Sequence, residues 1–370
     1  ILNSKDRLMN TLLFKPVDRI LLVEWNVRKA TIREWVKQGY PEDANQKSFF
    51  DLDPFYQYVP ILLGMYPEFE EKTLEEDDKY RIWQDNTGAI RKDFVQIENP
   101  GFVTRSWLKF PVENREDFIE TKKRYNSGER SRYVENWPLR ADILAKAPIA
   151  SHLSVPFLFW TVRDWMGFEN FCLAFYDMPE LIDEMFEFLT DFYIETLKRG
   201  INELKIDMVE LKEDMAYKNA PMISPEMFRR FMMPHYKRFI SFLRENGVRF
   251  IYVDCDGYPG GLIPCWIECG VDGMSPCEIA AGNDMLKLRK EYPGFALFGG
   301  IDKRELAKGK KAIYHEVMSK VPALIEKGGY VPHVDHAVPF DVPLRNFLYY
   351  RDLLRKIAYG EPVGEPANDE

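Results

Sequence analysis

The sequence predicts an α/β fold, a TIM (β/α)8 barrel carrying an N-terminal antiparallel hairpin insertion, and three observations lead there. From about residue 148 onward, short apolar runs alternate with amphipathic helical stretches, the signature of repeated βα units around a parallel sheet. Nearly every apolar run hands over at once to an ionisable residue, as strands do where they empty into one mouth. A hydrophobic content of 46% over 370 residues supplies the core that a barrel needs.

Taken in chain order, residues 20–25 read as the first strand. Residues 80–83 and 89–94 flank Asp85-Asn86-Thr87-Gly88, a hairpin turn, because Asn, Asp and Gly tolerate the positive φ that such turns demand. Residues 101–110 read as a further strand, and 75–112 as an antiparallel insertion decorating the barrel. From 113 to 147 the chain is charged and helical, a surface excursion, so the whole decoration spans 75–147. Strands are then expected at 148–153, 207–211, 249–253, 273–275, 295–299 and 329–332. Between them, Leu181, Ile182, Met185, Phe188, Leu189 and Phe192 recur at helical spacing and predict a helix over 179–199 that stops at Gly200. Ser224-Pro225-Glu226 opens the next helix, with Ser224 as N-cap, and this helix runs to about Asn246-Gly247. Residues 1–360 form one domain and 361–370, rich in acids and proline, a loose tail.

A net charge of −9 without any run of Lys or Arg argues against a nucleic-acid surface and for a small-molecule partner. No stretch approaches the length of an apolar membrane span, and the first residues lack a signal-peptide pattern, so a cytoplasmic address is expected. The five cysteines, an odd number crowded into one region, fit reduced thiols. Cys265 and Cys269 sit among Ile263, Trp266 and Ile267 and read as small buried hydrophobes. His235 and His315 fall mid-helix, away from any strand end. A homodimer is left open, since no surface stripe stands out.

In a barrel the working residues sit at the C-terminal ends of the strands. That rule selects Glu24 and Trp25 after the first strand, His152 and Ser154 after 148–153, and Glu210, Glu213 and Asp214 with 207–211, where Tyr217 and Lys218 beyond them read as substrate contacts. Asp254 and Asp256 follow 249–253; in an extended chain both carboxylates face one side while Cys255 points away. Asp302 follows 295–299, where it either works in the site or caps the next helix. His333, Asp335 and His336 close the series, and one acid and two imidazoles so close together suit metal or polar-substrate chemistry.

At these residues the chain resembles the uroporphyrinogen decarboxylase superfamily. The segments that carry the resemblance are Glu213-Asp214-Met215-Ala216-Tyr217 through Ser224-Pro225-Glu226-Met227-Phe228, Asp254-Cys255-Asp256-Gly257, Gly299-Gly300-Ile301-Asp302, and Gly328-Gly329-Tyr330 through Val338-Pro339-Phe340-Asp341-Val342-Pro343. The resemblance implies a TIM barrel. It also implies a choice between two branches, and this chain departs from both. The decarboxylases carry an arginine-rich segment after the first strand that binds the acidic porphyrinogen, whereas Val23-Glu24-Trp25-Asn26-Val27 stands here. The methyltransferases hold zinc with His-x-Cys-Gly after the fifth strand and a Cys after the eighth. Asp254, Asp256 and His336 occupy those positions with oxygen and nitrogen donors, which suits Zn²⁺, Fe²⁺ or Mn²⁺ and an oxygen-bearing substrate.

The methyltransferase branch then implies a metal-dependent transfer of methyl between a small methylated or methoxylated substrate and a corrinoid, free or on a partner protein. In that reading Asp254, Asp256 and His336 hold the metal, Glu213, Asp214 and Asp302 are catalytic, and Glu24, Trp25, His152, Tyr217 and His333 meet the substrate. Two alternatives stay open: a decarboxylase or lyase acting on a carboxylic acid, and a non-catalytic homologue that binds a ligand or a corrinoid protein.

Overall fold

The computed structural model describes residues 2–95 and 105–367. Its centre is a parallel sheet of seven strands in the order β1 (Tyr56–Tyr58), β6 (Ala150–Pro156), β7 (Met208–Lys212), β8 (Phe250–Asp254), β9 (Gly273–Cys277), β10 (Ala296–Ile301) and β11 (Tyr330–Val334). The strands expected from 148 onward all form, each shifted or extended by a few residues. They are near-continuous apolar runs because helices cover the outer face and the strands' other face fills the interior.

Alternate residues point inward. Ala150, Met208, Phe250, Tyr252, Ala296, Phe298 and Val331 pack together with Leu21 and Val23. Helix Ser4–Leu12 closes the N-terminal end by adding Leu8, Met9 and Leu12 to the same cluster. The C-terminal ends of the strands are left as the mouth.

The barrel is not closed, which corrects the expected eight strands. Residues 20–25 place Leu21 and Val23 in the interior yet join no ladder. The physical reason is local: the Leu22 N–H donates to the Asp53 carboxylate and the Leu22 carbonyl accepts from the Asp53 N–H, so both backbone groups are already satisfied. The Val27–Val338 bridge, the Val334 N–H donated to Glu24 and the Trp25 ring stacked on His333 stitch this stretch toward β11.

The decoration is larger than a hairpin. β2 (Lys72–Glu76), β3 (Tyr80–Gln84), β4 (Ile90–Phe94) and β5 (Arg105–Lys109) form an antiparallel sheet in sequence order, with the anticipated turn at 85–88 between β3 and β4. Of the strand expected at 101–110, residues 101–104 lie outside the described residues, as do 96–100 of the insertion and 368–370 of the tail. β1 and β2 escaped detection in the sequence: Tyr-Gln-Tyr is too short for a pattern, and Lys-Thr-Leu-Glu-Glu is exposed at every position.

Helix Pro179–Glu203 outruns the stop expected at Gly200. That glycine serves close packing, since a Cβ there would sit 2.6 Å from Ile61 Cδ1, and its N–H donates to the Tyr133 hydroxyl at 2.8 Å. Ser224 caps as expected, its Oγ accepting from the Met227 N–H. The helix then loosens into a π turn over Phe228–Met232, just ahead of Pro234, which has no N–H to give, and resumes as Met233–Glu245.

Candidate active site

The inward faces of β6, β7 and β8 turn polar as they approach the mouth. His152 Nε2 lies 3.0 Å from the Tyr252 hydroxyl, which lies 2.9 Å from Glu210 Oε1. The hydroxyl has one proton, and with Glu210 as its acceptor the His152 Nε2–H must be the donor on the other side. His152 Nδ1 is thereby an acceptor, buried and without a protein partner. Burial pulls the His152 pKa down to about 4, so the ring is neutral, stacked on Tyr56 at 4.1 Å. One step nearer the mouth, Lys212 and Asp254 are register partners on β7 and β8. Burial and the Glu210 charge push the Asp254 carboxyl well above the usual range.

Asp256 and His336 meet at 3.4 Å across the mouth. Asp214 joins them, its Oδ1 accepting from the Asp256 N–H at 3.1 Å, from a left-handed backbone with φ of 45°. Holding a non-glycine residue there costs about 1–3 kcal/mol, a strain that aims this carboxylate at the mouth. The Asp-Cys-Asp-Gly turn is equally constrained: at Gly257 (φ +81) a Cβ would meet the Tyr217 and Ala216 carbonyl oxygens at 2.7 and 2.8 Å. His336 feels two opposed pulls. Its hydrogen bond to Asp256 raises the imidazole pKa, while the Ala337 N–H donated into Nδ1 at 2.7 Å favours the neutral ring.

The uroporphyrinogen decarboxylase (URO-D) family model matches residues 140–357, more than half of the chain and all of the strands that build this mouth except β1. The chain belongs to the URO-D family. Among solved structures, this URO-D family chain is similar to a methyltransferase from Methanosarcina mazei at 13% identity and a TM-score of 0.57, over 96% of this chain and 99% of that one. That likeness establishes the fold. A putative vitamin-B12 independent methionine synthase from Listeria monocytogenes matches at 10% identity with a TM-score of 0.34, over 61% of this chain and 70% of that one, too distant to bear an argument. No curated protein matches. Among the described residues no helix is long and apolar enough to cross a membrane.

The metal expected on Asp254, Asp256 and His336 does not find its three donors together in this URO-D family chain. Among the described residues no three His, Cys, Asp or Glu side chains are grouped so as to hold an ion. β8 ends at Asp254, and the chain turns at Gly257 with φ of 81°. Asp256 turns to His336, while Asp254 stays with Glu210 and Lys212. The set does not fit a three-donor centre, and no metal step is assigned to it.

The other site residues divide. Glu24 accepts from the Trp25 and Val334 N–H groups, and burial lifts its carboxyl to about 7 against the pull of Arg351. His333 donates from Nδ1 to the Val334 carbonyl at 2.8 Å and leaves Nε2 buried without a protein partner, with Trp25 stacked on the ring at 6.1 Å. Glu213 sits apart from the mouth. Fully buried, it accepts from the Phe159 and Trp160 N–H groups at the start of helix Leu158–Met166 and from the Tyr236 hydroxyl of helix Met233–Glu245, so these bonds tie the two helices together. Asp302 caps helix Lys303–Lys308 through the Arg304 N–H and pairs with the Arg304 side chain. Tyr217 is 73% exposed. Asp335 is buried and paired with Lys303, which also reaches Glu278, whose carboxylate accepts the Gly257 N–H.

Glu210, which the strand-end rule reaches, is joined in the site by Lys212, Tyr252 and Tyr56. Of these three, Tyr252 was legible in principle, because Phe250, Tyr252 and Asp254 alternate on one face of β8.

Proposed function

We propose that this chain is a methyltransferase, moving a methyl group between a small methylated substrate and a corrinoid or another acceptor. The observation that carries the reading is the sign of the mouth. Glu210, Asp214 and Asp256 crowd it around Asp254, each raising the cost of charging that carboxyl, while Lys212 lowers it. A porphyrinogen bearing many carboxylates would meet like charge there, at a cost that grows as water is excluded. The methyl-transfer activity itself is carried over from the Methanosarcina mazei methyltransferase, whose fold this chain shares along nearly its whole length.

In this reading Asp254, kept protonated by burial, donates a hydrogen bond to the substrate. The Asp256–His336 pair takes the proton of an incoming thiol acceptor or supplies one to a leaving heteroatom, and Asp214 fixes the turn that presents Asp256. Trp25 and His333 form a wall beside them. The test is a paired assay on the full chain: demethylation of methylcobalamin by a thiol, followed by its absorbance, against carbon dioxide release from uroporphyrinogen. Methyl loss without carbon dioxide supports the reading, and carbon dioxide release with an unchanged cobalamin spectrum sinks it.

A further inference from the structure

Beside the mouth, between the antiparallel sheet and helix Leu158–Met166, lies a cleft of about 540 Å³ that reaches Asp214. Its walls include Trp107, Trp160 and Phe168, and two of these rings are left open to solvent: Trp107 is 50% and Phe168 46% exposed. Aromatic rings that line one cleft and stand open to solvent invite a ligand that covers them. A smaller cavity of about 220 Å³ adjoins it, and Thr87, Trp160 and Asp164 line both.

The charges in the cleft are unevenly satisfied. Arg91 lies 3.4 Å from Asp85 and stacks over Trp83. Arg163 donates to the Asp214 carbonyl at 2.7 Å and stacks over Trp160. The remaining carboxylate, Asp164, makes no close ion pair among the described residues; burial lifts its carboxyl to about 6, the Arg163 charge and the Trp160 indole favour its ionised form, and Asp85 and Asp214 oppose it. The cleft therefore sets Asp85, Asp164 and Asp214 against Arg91 and Arg163, one negative charge in excess. Aromatic rings with one unspent carboxylate select a weakly hydrated cation bearing methyl groups over a compact, strongly hydrated one.

We propose that this cleft binds the methylated head of an onium cation, a quaternary ammonium or a sulfonium, with Asp164 as counter-charge and Trp107, Trp160 and Phe168 against its methyl groups. The site names a class of methyl carrier for the reading above, and it rests on that reading only for the fate of the methyl. An anionic arene would add negative charge beside Asp85, Asp164 and Asp214, and a neutral methyl ether would leave Asp164 as it is.

Calorimetric titration of the full chain with choline, with its uncharged isostere 3,3-dimethylbutan-1-ol and with 2-methoxyphenol tests this. Choline should bind at least about tenfold more tightly than the isostere. Asp164→Asn should weaken choline by about tenfold or more and leave the isostere unchanged. Trp107→Ala, on an exposed strand, should weaken choline with the thermal midpoint preserved. Equal affinities for choline and the isostere, choline binding unaffected by Asp164→Asn, or binding of 2-methoxyphenol alone would overturn the proposal. If choline binds through Asp164 but no methyl ever moves, this inference stands and the methyl-transfer reading fails. If methyl moves from neutral ethers while choline gives no heat, the reverse holds.

Discussion

Tyr252 has one hydroxyl between two groups that both need it. Tyr252→Phe would leave Glu210 and the His152 Nε2–H buried without their partner, at a cost of about 1–3 kcal/mol in urea denaturation. A change below about 0.5 kcal/mol would mean that water already serves both groups. At the mouth, Asp256→Asn removes the charge that raises His336, so the imidazole pKa should fall when followed by NMR. An unchanged titration would show that the Ala337 N–H, not Asp256, governs that ring. The strand-end rule found the mouth residues because it depends only on where apolar runs stop. It could not tell Glu213 from Asp214, adjacent acids of which one is buried under a helix and the other is turned outward by a left-handed backbone. Nor could it find the unpaired Asp164, which lies on a helix and gains its meaning from a sheet distant in sequence.

At the scale of elements, helix Leu158–Met166 is held from below by Glu213, a carboxylate where the helix presents free N–H groups. Burial pushes the Glu213 carboxyl from 4.5 up to about 8. A carboxyl whose folded pKa lies above its unfolded one contributes stability that is fully present below about 4.5 and lost as the pH rises through about 8. Glu213→Gln should therefore flatten the decline in thermal midpoint between about pH 4.5 and pH 8. A decline as steep as that of the parent would place the responsible group elsewhere. Elements were legible where pattern and packing agreed, as in β6 to β11. They misled where a single residue answers to a contact distant in sequence, as Gly200 does: it has the look of a helix stop and is a contact with Ile61 and Tyr133.

For the whole molecule, the seven-stranded sheet leaves residues 20–25 as a stave without a ladder. Hydrogen exchange should release these amides at least about tenfold faster than those of β7 and β8, although Leu21 and Val23 are equally buried. Equal protection would mean that the stave is held as firmly as a paired strand. The sequence pattern could not distinguish these cases, because burial writes the same apolar run whether or not the backbone is paired. The same architecture gathers Glu210 of β7 and Asp254 of β8 at one end of the sheet, and the proposed methyl transfer rests on the acidity of that mouth.

Methyl transfer at this mouth is tested most sharply by the rate of methylcobalamin demethylation by a thiol, compared between the parent and His336→Gln. Activity is expected in the parent, with a loss of about 10²-fold or more in the variant, as for removal of a proton-transfer group. A parent that leaves methylcobalamin untouched, or a variant as fast as the parent, would contradict the assignment.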